Sequence, residues 1–419
     1  MKDLRDHFLS HIRKSAGNIA LPLRIRFWDG HEYDFASDIR VVMEFRSATF
    51  LGRLLTGSTL DVLGEGYVEG DLGLEGRYQD ILAVAEGLGE AFPQPRKGLI
   101  RFFGRGKHSR SSDARNIRYH YDVSNDFYRL WLDRNMVYSC AYFHTGREDI
   151  DTAQEQKLDH ICRKLHLQPG EKLLDIGCGW GGLLSWAARH YDIQGVGVTL
   201  SEMQYAFARE RMEAEGLADR IEIRLQDYRD IPERDHFDKV TSVGMFEHVG
   251  RSQLPGYFSV IQRVLREGGW VLNHGITASQ QDDELGHHSG SGFIDKYVFP
   301  DGEIPHLWRV VHAMAGQNLE VLDVENLRPH YAQTLIHWVR RLEARKEEAL
   351  RLVGPKSYRI WAIYMAGCAH AFWRNWSCLH QVLAIKQAGE ALTARPWERR
   401  YQYGGGKDYL PAELDWGDI

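Results

Sequence analysis

Residues 173–182 read LLDIGCGWGG: two leucines run into Asp175, and Gly177, Gly179, Gly181 and Gly182 follow. Glycine loses roughly 0.5–1 kcal/mol relative to alanine in regular structure. Such a cluster therefore points to backbone that must pass close to a ligand. The next places where chemistry could sit lie at regular intervals. Thr199, Leu200, Ser201, Glu202 and Gln204 fall in VGVTLSEMQ, Asp227 and Tyr228 in LQDYRD, Glu247 in GMFEHVG, and His274 in NHGIT. A dinucleotide site wants an acid about 20 residues after the glycine loop for the ribose hydroxyl, and VGVTLS ends without one. An aspartate on the strand followed by glycines suits a cationic, amino-acid-bearing ligand, and Asp227-Tyr228 can meet an adenine ring. S-adenosylmethionine is thus favoured over a nicotinamide dinucleotide. Glu247 alone reads as a solvated loop acid and His274 alone as a satisfied core histidine. Together, at the ends of successive strands beside a cofactor loop, they read as an acid–base pair.

These residues need elements to carry them. EKLLDIGCGW reads as a buried strand entering a turn, LLSWAARHY as a helix and IQGVGVTLS as a strand. EMQYAFARERMEAEGL then reads as an amphipathic helix, RIEIRLQDYRD and FDKVTSVGMFEHV as strands, and YFSVIQRVLREGGWVLNHGIT as helix, turn and strand. This alternation predicts an α/β, Rossmann-like domain with a mostly parallel sheet covered on both faces. Its ligands belong at the carboxyl ends of the strands, near the switch point. Every candidate named above falls at such an end.

Upstream, PLRIRFWDGHEYDF predicts a β-hairpin turning at Asp29-Gly30, and YQDILAVAEGLG a helix, together a small N-terminal α+β domain. The chain divides on this reading into residues 1–92, a basic linker over 93–118, the main domain over 119–392, and a C-terminal extension over 393–419. Between Pro95 and Tyr119 stand eight Lys or Arg residues and one Asp, with Leu99, Ile100, Phe102 and Phe103 among them. That segment is either an exposed linker or a peripheral contact with anionic lipid, where each basic side chain contributes about 1 kcal/mol.

The 419 residues carry a formal net charge of −6, which argues against nucleic acid as the main partner. The start, MKDLRDHFLS, lacks the apolar core of a signal peptide, and no run of about 18 apolar residues predicts a membrane span. Five cysteines without CxxC spacing read as reduced thiols of a cytoplasmic protein, not as a disulfide frame or a metal site.

The motifs YDVSNDFYRLWLD, MVYSCAYF, LLDIGCGWGG, VGVTLS, VGMFEHVG, FIDKYVFPDGEIP and HYAQTL, in order over roughly residues 116–390, resemble the cyclopropane-fatty-acyl-phospholipid synthases and the related mycolic acid methyltransferases. The resemblance implies a class I methyltransferase fold. It also implies methylene transfer from S-adenosylmethionine to a cis double bond of a phospholipid acyl chain at the cytoplasmic face of the membrane, and leaves a homodimer open. By the same resemblance the cofactor is held by Tyr138, Ser139, Asp175, Gly177, Cys178, Gly179, Gly181, Thr199, Leu200, Gln204, Asp227 and Tyr228. A bound bicarbonate, the base that completes ring closure, falls to Glu247, the side chains of His274 and Tyr331, and backbone groups of Cys140 and Ile276. Glu247 is expected to orient His274 or to accept the bicarbonate proton. Cys368, in YMAGCAHAFW, matches a family cysteine counted with the active site, although its helical neighbours suggest packing or substrate lining. Helices after residue 331 are expected to make the acyl tunnel. Gly275 stands where the family commonly has Thr or Ser, an expected loosening of the pocket. A lipid C-methyltransferase that leaves a methyl-branched or methylene-bearing chain would share every motif, and a non-catalytic lipid-binding module would share the fold.

Overall fold

The computed structural model describes residues 2–16, 21–56, 59–91, 124–279, 293, 296–298, 303–389 and 395–403. The basic stretch between Pro95 and Tyr119 and most of the C-terminal extension lie outside the described residues.

The N-terminal unit opens with helix α1 (Lys2–Ala16) and the expected hairpin of β1 (Leu23–Arg26) and β2 (Glu32–Asp34). Gly30 turns it, with φ 78° and its amide on the Phe27 carbonyl. Strand β3 (Val41–Phe45), helices α2 (Ala48–Thr56) and α3 (Thr59–Glu69), strand β4 (Leu72–Glu75) and helix α4 (Tyr78–Ala91) complete it. The sheet order is β2-β1-β3-β4, with β3 parallel to β1. Alternate residues of β1 and β3 are buried and, with Phe8 and Phe50, form a core separate from the rest of the chain.

The second unit is built from helix α5 (Asn125–Arg129), α6 (Ile150–Lys164), β5 (Lys172–Ile176), α7 (Gly182–Tyr191), β6 (Gln194–Thr199), α8 (Glu202–Ala214), β7 (Ile221–Leu225) and β8 (Phe237–Val243). Then come α9 (Leu254–Val264), β9 (Leu265–Ala278), α10 (Leu307–Ala315), β10 (Leu319–Asn326), α11 (Arg328–Ala344), α12 (Lys346–Trp373) and β11 (Ser377–Lys386). The seven strands lie in the order β10-β11-β9-β8-β5-β6-β7. Strand β11 runs antiparallel to both of its neighbours, β10 and β9, and the other described pairs are parallel. Side chains alternate across a strand, so Leu173, Leu272 and Leu383 feed one core while Leu174, Val271 and Val382 feed the other. Helices cover both faces, as the near-continuous apolar runs require.

The order reverses between β5 and β8, which places the switch point at the carboxyl end of β5. Over that end sits a third core, rich in aromatic rings, built by α5, α11 and α12. The long helix α12 turns at Gly354 (φ 73°), just before Pro355, and packs along α11 on one side and against α3 and α4 on the other. No helix among the described residues is long and apolar enough to cross a membrane.

Candidate active site

A cavity of about 150 Å³ opens at the carboxyl end of β5. Tyr138, Ser139, Asp175, Gly177, Cys178, Gly179, Thr199, Leu200, Gln204 and Tyr228 all line it, so ten of the twelve expected cofactor residues converge. Gly177 (φ 80°) and Gly179 (φ 55°) adopt the left-handed backbone that favours glycine. A Cβ on Gly177 would stand 3.1 Å from Met245, and one on Gly179 would meet nothing within 4 Å among the described residues beyond its chain neighbours.

Two residues depart from expectation. Gly181 does not line the cavity: it precedes α7 and faces Met212 and Ala208 of α8. The carboxylate of Asp227 does not line it either. Asp227 accepts bonds from the Arg229 amide (2.9 Å), Nε (2.9 Å) and a terminal nitrogen (2.7 Å), leaving Tyr228 and Arg229 to face inward.

The wall also holds a residue that the sequence reading missed. Lys157 of α6 is 1% exposed, lines the cavity, and donates to the Ser139 hydroxyl at 3.0 Å. Burial pulls its ammonium down to about 8, against the pull of Asp133. One turn earlier, Gln154 donates to the carbonyls of Ser139 (2.8 Å) and Val137 (3.3 Å), fixing the segment that presents Tyr138. Asp175 accepts from Thr241 Oγ1 at 2.8 Å, and burial raises its carboxyl to about 6. Thr199 donates to Gln204 Oε1 at 2.9 Å, which pins both side chains at the end of β6. Trp180 is fixed by its indole nitrogen on Asn125 Oδ1 at 2.8 Å, so the YDVSNDF motif supports the glycine loop.

Beside this cavity the remaining candidates gather around β9. His274 and Ile276 share one face of the strand. Glu247 follows β8, and its Oε1 accepts the Ile276 amide at 2.6 Å. Ile276 pairs with Leu379 of β11; the Leu379 carbonyl takes the Leu327 amide at 2.8 Å, and the Leu327 carbonyl takes that of Tyr331 at 3.1 Å. The Cys140 thiol lies 3.9 Å from that same Leu327 carbonyl. Backbone pairing therefore draws Cys140, Glu247, His274, Ile276 and Tyr331 into one neighbourhood.

The internal wiring differs from the expectation that Glu247 orients His274. Gln381, opposite His274 on β11, does so by donating to Nδ1 at 3.1 Å, which leaves the proton on Nε2. His274 is 1% exposed, and burial drives its pKa well below the usual imidazole value, so it is neutral. Its Nε2 and the Glu247 Oε2 are buried without a partner among the described residues. Burial lifts the Glu247 carboxyl to about 7, against the Ile276 amide. The Ile276 amide is spoken for by Glu247 and serves the site through that carboxyl. The Cys140 thiol is raised by burial and stays protonated. Gly275 does not loosen the pocket, because a Cβ there would fall 1.9 Å from the Phe246 ring, which already fills the space.

Cys368 packs, with Ile276 and Tyr331, against the aromatic core over the strand ends. It lines a second, apolar cavity beside α12, and burial raises its thiol to about 12. An inert thiol in an apolar wall fits substrate lining.

A family model described as mycolic acid cyclopropane synthetase matches residues 108–382. The chain belongs to the cyclopropane synthase family. A model described as a domain of unknown function matches residues 10–96. The chain is 44% identical over 400 residues to a probable fatty acid methyltransferase of Pseudomonas putida, covering 94% of this chain and 100% of the relative. It is 36% identical over 343 residues to the cyclopropane-fatty-acyl-phospholipid synthase of Escherichia coli K12, covering 80% and 84%. A solved mycolic acid cyclopropane synthase complexed with SAH and CTAB aligns with a TM-score of 0.62 at 33% identity, covering 65% of this chain and 98% of that one. The fold is that of the class I S-adenosylmethionine-dependent methyltransferases, and membership of the cyclopropane synthases makes this chain one of them.

Proposed function

We propose that this chain converts a cis double bond in a phospholipid acyl chain to a cyclopropane, using S-adenosylmethionine as donor and bound bicarbonate as base. The observation that carries the reading is two buried polar atoms without a partner among the described residues, His274 Nε2 and Glu247 Oε2, on residues whose backbone neighbours Gly244 and His248 line the donor cavity. One is a donor and the other an acceptor. Hydrogen carbonate, which carries both functions, would complete them. When bound, it would supply the base that takes a proton from the transferred methyl carbon. The neutral imidazole, held by Gln381, donates at Nε2, and Glu247 accepts the proton at Oε2 while Oε1 stays anchored on the Ile276 amide.

The donor cavity fits its ligand by the same kind of evidence. Gly179 leaves open space where any Cβ would intrude, and Lys157, buried in the cavity wall, would partner the methionyl carboxylate of the donor. The alkene is a poor nucleophile, and its attack on the donor methyl leaves a cation on the neighbouring carbon. Aromatic faces ease such a charge. Tyr138 lies 5.3 Å from Trp338, and Tyr331 lies 4.7 Å from Phe372, in the core over the strand ends. On this reading the substrate lies at the cytoplasmic membrane surface, and the basic residues between Pro95 and Tyr119 draw the enzyme to anionic lipid.

The test is to incubate the purified chain with donor and unsaturated phospholipid vesicles and identify the product by mass spectrometry and proton NMR. Ring protons and a mass gain of one methylene support the proposal. The name of the Pseudomonas putida relative favours a second reading, an acyl-chain methyltransferase that closes no ring. A vinylidene or methyl-branched product would establish that reading instead.

A further inference from the structure

Between the N-terminal unit and helix α12 lies a cavity of about 270 Å³, larger than the donor cavity. One wall comes from α3 and α4, through Leu63, Tyr67, Leu82 and Ala85; the facing wall comes from α12, through Tyr364 and Cys368. The cyclopropane synthetase model begins at residue 108, so the first wall belongs to the part matched by the model described as a domain of unknown function.

Two observations join this cavity to the candidate active site. Ala278, the last residue of the strand that carries His274 and Ile276, lines it. Tyr364 lines it too and hydrogen-bonds Tyr138, which lines the donor cavity. A pair of tyrosines thus links the linings of the two spaces.

The units are fastened around this space by polar contacts. Glu86 of α4 meets His370 Nε2 at 3.1 Å and Arg374 Nε at 2.9 Å, Lys356 meets Glu69 at 2.8 Å, and Tyr78 donates to Glu343 at 3.1 Å. Glu86 and His370 also line the cavity, and their polar groups meet each other. What the lining offers is a dry surface for a hydrocarbon chain.

We propose that the N-terminal unit is the far wall of the acyl-chain site, and that α3 and α4 determine how much chain is accepted beyond the double bond. This rests on the functional reading above and gives the N-terminal unit a role in selecting substrate. Side chains that fill the space exclude the longer chain; side chains that enlarge it admit that chain more readily.

The experiment uses the full chain and mixed phospholipid vesicles. One pair of cis-monounsaturated acyl chains differs by two methylenes on the methyl side of the double bond, and a second pair differs by two on the ester side. Ala85→Phe and the milder Ala85→Leu fill the cavity, while Leu63→Ala enlarges it. The filling variants should lower kcat/KM for the longer member of one pair by about tenfold or more relative to the shorter, the scale on which an apolar pocket discriminates one or two methylenes. Leu63→Ala should move the ratio the other way, and donor affinity should stay unchanged throughout. Ala85→Leu covers the case in which Ala85→Phe fails to fold. A folded, active set of variants with wild-type ratios in both pairs overturns the proposal and leaves the functional reading standing. A wild-type chain that binds the donor yet modifies no lipid overturns both.

Discussion

Replacing Glu247 by Gln tests the proton path most directly, because the structure separates what the substitution keeps from what it removes. The amide oxygen can still accept the Ile276 N–H, now at 2.6 Å from Oε1. The change from a charged to a neutral acceptor costs about 1 kcal/mol, so the variant should fold. What disappears is the capacity of Oε2 to take a proton. General acid–base catalysis contributes about 10²- to 10⁴-fold, or about 2.7–5.4 kcal/mol in the barrier, and turnover at saturating donor should fall by that factor. The pH profile makes the prediction specific. Burial raises the folded carboxyl to about 7; below that value Glu247 already holds a proton and cannot accept another. Wild-type kcat should therefore rise about tenfold per pH unit below about 7 and level off above it. His274 is pulled well below its ordinary value and stays neutral through this range, so of this pair only Glu247 titrates here, and with bicarbonate ion held at one concentration across the series the limb should be missing in Glu247→Gln. Stability moves oppositely: the raised pKa favours the fold below the unfolded carboxyl's value, and the advantage is lost as pH rises through about 7. Donor affinity, measured by calorimetry, should hardly change. A Glu247→Gln variant with wild-type kcat, or one that keeps the limb near neutrality, would refute the reasoning.

Lys157→Met should weaken donor binding by about 1.5–3 kcal/mol, the value of a hydrogen bond to a charged group; the wild-type Kd should be level below pH 7 and climb above about 8 as the ammonium deprotonates, and a pH-independent Kd would remove the lysine from the donor site. Gly179→Val should abolish donor binding in a folded protein, since its Cβ enters space no protein atom occupies; unchanged calorimetric binding would overturn the cavity's assignment. Neutralising Arg96, Lys97, Arg101, Arg105 and Lys107 together should reduce co-sedimentation with anionic vesicles and flatten its salt dependence, whereas co-sedimentation identical to wild type at low and high salt would leave that segment a plain linker.

The glycine loop and the strands leading to it were legible because two local signals agree there: a buried apolar run, and glycines that regular structure would not choose. Strands β6 to β9 followed from the same alternation, and the candidate residues fell at their ends for that reason. Strands β10 and β11 were not legible. SCLHQVLAIK carries no turn signal or partner in sequence that announces an antiparallel strand inserted into a parallel sheet. With β11 unseen, Gln381 was unseen as well, and so the orientation of His274 was assigned to the nearer carboxylate. Lys157 and Gln154 escaped for another reason. They sit three residues apart on α6, at the spacing of a solvated polar face, and only the tertiary packing shows that face to be buried against the donor cavity. Asp227 shows the reverse. Its type and place suited a ligand, but Arg229, two residues on, satisfies it locally.

On the proposed reading the site generates a carbocation and must deny it a nucleophile, and its burial serves that end. A thiolate would capture the cation, but a thiol in an apolar wall is inert. Cys140 and Cys368 are both raised by burial, so neither ionises near neutrality. A neutral imidazole could also attack through a free nitrogen lone pair. The Gln381 bond to Nδ1 occupies that lone pair and leaves Nε2 carrying hydrogen. The carboxylate of Glu247 is tethered at Oε1 by the Ile276 amide, so it can receive a proton at Oε2 without swinging toward carbon. The same desolvation that disarms the thiols and the imidazole holds the Glu247 carboxyl near neutrality, where it can accept a proton and release it again. By the same reasoning a cysteine placed at the buried position of His274 keeps its proton and is inert, so His274→Cys should match His274→Ala in activity and carry no lipid adduct by mass spectrometry of the protein. A covalent lipid adduct on the introduced cysteine would refute the account, because it would show that a buried thiol does capture the cation.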